Sequence, residues 1–204
     1  RRLDVADGEE RARLLLEIGE VYASHVKDAT KAAKTFVAAL EERPDDRRVL
    51  TRLMKLYSEE KDWGKLVEVV LKLGEGVDDP KQKVKYIHTA AGVAMRQLQD
   101  LDAATKYLDQ VLAIEPDNSK ALKESIEVRE QRGDHEGVIK LLEIVMTHDQ
   151  KAGDKEKIIA ALDRMAAIYE EKLDDSDKAI ELYERAHELN RDDSKRRDKL
   201  AELY

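Results

Sequence analysis

The chain has 204 residues, 40% of them charged and 4% aromatic, with nine Gly, three Pro, no Cys and a formal charge of −8. The lack of Cys excludes a disulfide framework and a thiolate metal site, and no apolar run approaches the roughly 20 residues of a membrane span. The acidic balance argues against a nucleic-acid backbone as main ligand, since that needs clustered Lys and Arg, while abundant Ala, Leu, Glu, Lys and Arg select helix.

The first helix is predicted to start after Asp7, with Glu10 three residues on in the capping-box arrangement. A second starts after Asp28 and ends before Pro44. Leu50, Leu53 and Tyr57 mark the apolar stripe of a third helix, and Leu66, Val70 and Leu73 that of a fourth opened by Asp62. Gly74-Glu75-Gly76 reads as a helix terminator, because no strand precedes it as a phosphate loop would require. Two helices are predicted over about 81–97 and 101–114, the first preceded by Asp79 and Pro80, the second by Asp100. Leu122, Ile126 and Arg129 lead to Val138, Leu142 and Val145 in the next pair, whose second helix follows Asp134. Further helices follow Asp154 and Asp175, and Ser194 begins another that runs to Tyr204. Asp28, Asp62, Asp100, Asp134 and Asp175 thus occupy one place in successive helix pairs. Each can satisfy orphan N–H groups and the positive end of the helix dipole, at about 1 kcal/mol per cap.

The pattern repeats. From Gly92 it runs through Met95, Ala104 and Leu108 to Pro116; from Gly19, with one residue added in the turn, through Tyr22, Ala32 and Phe36 to Pro44. From Ala166, again with one added residue, it runs through Tyr169, Ala179 and Tyr183, and Arg191 stands where the proline would be. With the intervening pairs the period is close to 34 residues, and the small–aromatic–small–proline signature of Gly19, Tyr22, Ala32, Phe36, Ala39 and Pro44 resembles the tetratricopeptide repeat family. The resemblance covers nearly the whole chain and is closest in alternate pairs. It implies an all-α fold, a right-handed α–α superhelix (solenoid) of five complete helix-turn-helix repeats plus a truncated sixth. Residues 1–204 would form a single solenoid, with repeats at about 9–46, 47–80, 81–118, 119–152 and 154–193 and a partial one at 194–204.

Side-chain size predicts an alternation. Gly19 facing Ala32, Gly92 facing Ala104 and Ala166 facing Ala179 allow close helix approach, whereas Met54 with Leu66 and Ile126 with Val138 hold their helices apart. The structural unit is then a double pair of about 73 residues, with Leu3 as the tail of a preceding wide pair. The opening Arg1-Arg2-Leu3, without an initiator Met, reads as the start of a piece of a longer chain, and the alternation of repeat types with Ala-rich acidic helices resembles long bacterial repeat proteins.

Signals for chemistry are few. The five His include no pair at the i, i+4 spacing of a helical zinc site. Ser58-Glu59-Glu60-Lys61 has the Ser-x-x-Lys form without the motifs that accompany it in hydrolases. Asp174-Asp175-Ser176-Asp177 lacks the Gly and closing Glu of a calcium loop. No catalytic residue, metal ligand or cofactor is predicted, and Trp63, the single Trp, is expected to pack between neighbouring pairs.

The resemblance further implies a non-catalytic scaffold binding a partner protein or peptide on a concave face lined by the first helix of each pair. The candidate residues there are Arg48, Thr51 and Lys55, then Tyr86, Thr89 and Arg96. Lys120, Lys123 and Glu127 follow, and Asp163 and Glu170 close the series, so the lining turns from basic to acidic. A partner segment of opposite charge order would be steered into such a groove. The grip on a C-terminal carboxylate known in some members requires Asn residues on this face, whereas the only Asn here are Asn118 and Asn190, near loop ends. The alternatives are a structural or self-assembly module joining copies of the chain as a homo-oligomer, and a regulatory region of a larger enzyme. Neither nucleic acid nor membrane insertion is expected; the expected compartment is the cytoplasm, with the periplasm as alternative.

Overall fold

The structure, a computed structural model, describes residues 7–204, so the expected role of Leu3 lies outside the described residues. Each helix starts where a short polar side chain takes over an unpaired N–H. In the part ending at Pro116 these are α1 (Gly8–Val21) after Asp7, α2 (Ala29–Glu42) after Asp28 and α3 (Arg47–Glu59) after Asp46. They continue as α4 (Trp63–Glu75) after Asp62, α5 (Pro80–Val93) after Asp79 and α6 (Leu101–Ile114) after Asp100. From Asp117 onward come α7 (Ser119–Arg132) after Asn118, α8 (His135–Ala152) after Asp134 and α9 (Lys155–Lys172) after Asp154. The last two are α10 (Ser176–Leu189) after Asp175 and α11 (Ser194–Leu203) after Asp193. Among the described residues there is no strand, and the chain has an all-α, helical-repeat fold.

The five recurrent caps accept N–H bonds from three residues on at 2.9 Å (Asp28), 3.4 Å (Asp62), 2.9 Å (Asp100), 3.0 Å (Asp134) and 3.1 Å (Asp175). Four caps, Asp28, Asp62, Asp154 and Asp175, also hold the ammonium of the Lys at that position, at 3.1, 2.6, 2.6 and 2.7 Å. Three of those ammonium groups lie over a tyrosine ring from the preceding helix end: Lys31 over Tyr22, Lys65 over Tyr57 and Lys178 over Tyr169.

These bonds hold the four carboxyls below their ordinary 3.8, mainly through the Lys31 backbone N–H for Asp28 and through the lysine side chains for the other three. A carboxyl depressed by folding adds stability that is fully present above the unfolded value, about pH 4, and lost as pH falls through the folded value. Urea midpoints followed by circular dichroism should therefore fall as the pH drops below about 4. Replacing all four by Asn, which caps without charge, should flatten that fall; an unchanged slope would refute the account.

The turns share a second device. The residue just before the cap lies in the left-handed region at Lys27 (φ 57°), Lys61 (57°), Gln99 (54°) and Asp174 (53°), and at Gly133 and Gly153. It lets the cap's own N–H return to the helix just ended. At Asp62 and Asp134 that N–H reaches the carbonyl five residues back, Tyr57 and Arg129; at Asp28, Asp100 and Asp175 it reaches six back, to Tyr22, Ala94 and Tyr169. The wider closure appears as a π-helical turn at Tyr22–Val26 and at Ala94–Leu98.

This geometry corrects the register. Counting from the wide closures, Ala91 and not Gly92 corresponds to Gly19 and Ala166, so the extra turn residue expected in the first and fifth pairs disappears. Ala91 is 2% exposed and Ala104 fully buried. A Cβ on Gly92 would meet the Arg96 guanidinium of the same helix end rather than the opposite helix. The Gly74-Glu75-Gly76 stretch does end α4, with Gly76 as the cap whose N–H reaches the Lys72 carbonyl, while Gly74 lies inside the helix, buried, where a Cβ would stand 3.2 Å from Tyr86 Cβ on α5.

In the part ending at Pro116 each helix packs on the next, from α1 to α6. Its core joins Phe36 of α2, Val49, Leu50 and Leu53 of α3, and Val70 and Leu73 of α4, with Trp63 partly buried against it. Each such large apolar side chain contributes about 1.5–3 kcal/mol by leaving water. In Asp117–Tyr204 the same sequential packing buries Leu122, Val138, Leu142, Leu162, Met165 and Tyr183. The pairs α1/α2, α5/α6 and α9/α10 meet over more residues than α3/α4 and α7/α8.

Candidate partner-binding faces

Within each part, charged residues on one first helix meet polar groups on the neighbouring first helix. Arg52 Nε on α3 donates to Glu20 on α1 at 2.7 Å, and Arg47 on α3 donates to the Tyr86 hydroxyl on α5 at 3.1 Å. In the C-terminal part Arg164 on α9 donates to Glu130 on α7 at 2.5 Å. Arg196 on α11 forks onto Asp163 on α9, with Nε at 2.8 Å and Nη2 at 2.6 Å. Arg196 is only 5% exposed, and its remaining donor reaches the Ala186 and Asn190 carbonyls at 3.4 and 3.3 Å. Lys199 of α11 meets Glu170 at 2.7 Å. These contacts raise the Arg196 and Lys199 values above the ordinary ones, chiefly through the bonds to Asp163 and Glu170.

Of the sequence-predicted residues, Arg48, Thr51 and Lys55 share one exposed strip of α3. Arg48 reaches back to Asp46 at 3.5 Å and Lys55 lies 3.7 Å from Glu59, so both keep most of their charge toward solvent. Thr51 and Thr89 are exposed and bond the carbonyls of Arg47 and Lys85, each at 2.7 Å. Tyr86 is half-buried with its hydroxyl held by Arg47, and Arg96 lies over Gly92. Lys120, Lys123 and Glu127 form an exposed strip on α7. Asp163 and Glu170 differ from the rest, because α11 already occupies them. Arg47, Arg52, Arg164, Arg196 and Lys199 were not among the candidates.

Between α1 and α3 this arrangement leaves an open groove of about 550 Å³ with Arg13, Leu16, Glu20, Arg48 and Thr51 in its walls. A more apolar hollow of about 400 Å³ lies on the opposite, second-helix side, lined by Ala29, Ala33, Val37 and Tyr57. Among the described residues no three His, Asp or Glu converge as a metal site would require, and no helix is long and apolar enough to cross a membrane.

Comparison with known families matches residues 161–197 and 86–118 to two forms of the tetratricopeptide repeat. The chain carries tetratricopeptide repeats at residues 86–118 and 161–197. No curated protein matches it. Among solved structures it is similar to the MamA protein, with 19% identity, a TM-score of 0.46 and coverage of 90% of this chain and 94% of that one. YrrB, described as a TPR protein with an unusual peptide-binding site, gives 15%, 0.47, 90% and 89%. A thermophilic TPR protein of Thermus thermophilus gives 18%, 0.37, 94% and 98%. Each tetratricopeptide repeat is one helix pair that cannot bury its apolar face alone, which is why neighbouring pairs share theirs.

Proposed function

We propose that this tetratricopeptide-repeat chain is a non-catalytic scaffold that binds a partner protein or peptide on the faces formed by its first helices. The observation that carries the reading is the groove between α1 and α3, open to solvent and walled by arginines whose charge is only partly met within the chain. The α7 strip of Lys120, Lys123 and Glu127 supplies a second set of exposed contacts. Cross-pair bonds such as Arg52–Glu20 and Arg164–Glu130 hold adjacent first helices in fixed register, so a partner meets pre-organised contacts and loses less free energy to ordering.

The test is affinity capture with the full protein, followed by charge reversal of Arg48, Lys55, Lys120 and Lys123 and measurement of the captured partner by calorimetry. The reading expects at least about a tenfold loss, because charges at an interface set its association rate and part of its affinity. Unchanged affinity, or a partner mapping to the α2/α4 hollow around Val37, removes it.

A further inference from the structure

We infer that the α1–α3 groove recognises an acidic protein segment, reading closely spaced carboxylates with Arg13, Arg47 and Arg48. This rests on the proposed function and names the partner's chemistry. The four arginines around the groove are not equivalent. Arg52 is committed to Glu20 at 2.7 Å and serves the fold. Arg13 stands 4.0 Å from Glu10, at the edge of ion-pair range, and Arg48 makes a long 3.5 Å contact with Asp46, with side chains 62% and 67% exposed. Arg47 is exposed and donates to the neutral Tyr86 hydroxyl. Among the described residues, then, Arg13 and Arg48 meet only one distant carboxylate each within their own helix start, and Arg47 is held by a phenol. A guanidinium presents a planar fork that matches a carboxylate with two parallel bonds, stronger than its bond to a phenol. An incoming Asp or Glu can therefore give Arg47 a carboxylate in place of a phenol, and give Arg13 and Arg48 short paired bonds beside their long contacts to Glu10 and Asp46.

The same groove disfavours a nucleic-acid backbone. Glu17 and Glu20 lie among the arginines, and the chain as a whole carries −8. A phosphate chain, charged at every step, would run against those carboxylates, whereas a peptide can place its acids opposite the arginines and its neutral residues opposite Glu17 and Glu20.

The experiment uses the full chain and four fluorescent probes of about ten residues: a peptide alternating Glu with Ala, its Gln and Lys counterparts, and an oligouridine. Anisotropy should show the Glu peptide binding at least about tenfold tighter than the Gln peptide, with affinity falling as salt rises. Combined Arg13→Gln, Arg47→Gln and Arg48→Gln should abolish that preference, while Lys151→Gln with Lys172→Gln, which removes exposed charge elsewhere, should preserve it. Circular dichroism checks that the variants fold, and single Arg13→Gln and Arg48→Gln replacements, each expected to weaken binding several-fold, keep the test open if the triple variant does not. Equal binding of the Glu and Gln peptides, preference for oligouridine, or an undiminished preference in the variants overturns the inference. If a captured partner still depends on Lys55, Lys120 and Lys123 while the Glu peptide fails, the scaffold reading survives and this one falls.

Discussion

Asp163→Ala is expected to destabilise Asp117–Tyr204 by about 3 kcal/mol, because it leaves a guanidinium in the interior without its main counter-charge. Arg196 is 5% exposed and forks onto Asp163 with two bonds; after the substitution it would keep Asp193, 3.3 Å away, and two carbonyls. Asp163 is itself about one-third exposed (36%), which places the loss at the low end of the range for a broken buried pair. Replacing both partners, Asp163→Leu with Arg196→Met, should recover most of the loss, since the pair's cost is desolvation and apolar groups of similar volume do not bear it. Urea unfolding followed by circular dichroism gives the energy. Hydrogen exchange gives the place, because α11 should lose protection first and α7/α8 last in a fold whose contacts are nearest-neighbour. A change below about 1 kcal/mol, or a protected α11, would show that Leu200 and its apolar neighbours hold that helix without the ion pair.

The caps show which information was local. An Asp two or three residues before a helical amide carries its structural consequence within one turn, so Asp28, Asp62, Asp100, Asp134 and Asp175 were legible in the sequence and all accept the predicted bond. The register of the third pair is ambiguous by side-chain size, because Ala91 and Gly92 are adjacent and both small. Counting back from the capping Asp100 would have selected Ala91, which occupies the close-packed place. The cross-pair bonds are not local. They join residues 32 to 34 apart, Glu20 with Arg52, Glu130 with Arg164 and Asp163 with Arg196, and so depend on how one pair stacks on the next. Their signal was present as an acid followed one repeat later by an arginine. Asp163 and Glu170, assigned to partner binding by their position off the apolar stripe, are instead held by α11, the first of them as an acid of that pattern. A face that lines a groove in one repeat is a seam between repeats in another, and opposite charges one period apart mark the seam.

Gly19→Ala and Gly64→Ala, the same substitution in two helices, are expected to change stability in opposite directions. An added methyl normally favours helix by up to about 1 kcal/mol through the entropy that glycine loses on folding. At Gly64, near the exposed start of α4, an added Cβ meets nothing within 4 Å, so the gain should appear as about 0.5 kcal/mol of stabilisation. At Gly19 it would press into the Phe36 ring, with Cδ1 at 2.6 Å and Cζ at 3.1 Å, and Phe36 is itself 1% exposed. Side chains on a helix lean toward its N-terminus, so Phe36, one turn beyond Ala32 on the antiparallel α2, reaches back to cover the glycine that Ala32 was expected to face. The ring cannot yield without disturbing Leu16 and Leu53 in the same cluster. Overpacking of this kind costs about 1–3 kcal/mol, which exceeds the helix gain. Net destabilisation of about 1–2 kcal/mol should follow in urea titrations, and Gly19→Ala with Phe36→Leu should recover part of it by shortening the side chain. Stabilisation at both positions would mean that α1 and α2 separate freely, and that the close approach setting the spacing of the first pair is not maintained by the absent side chain at Gly19.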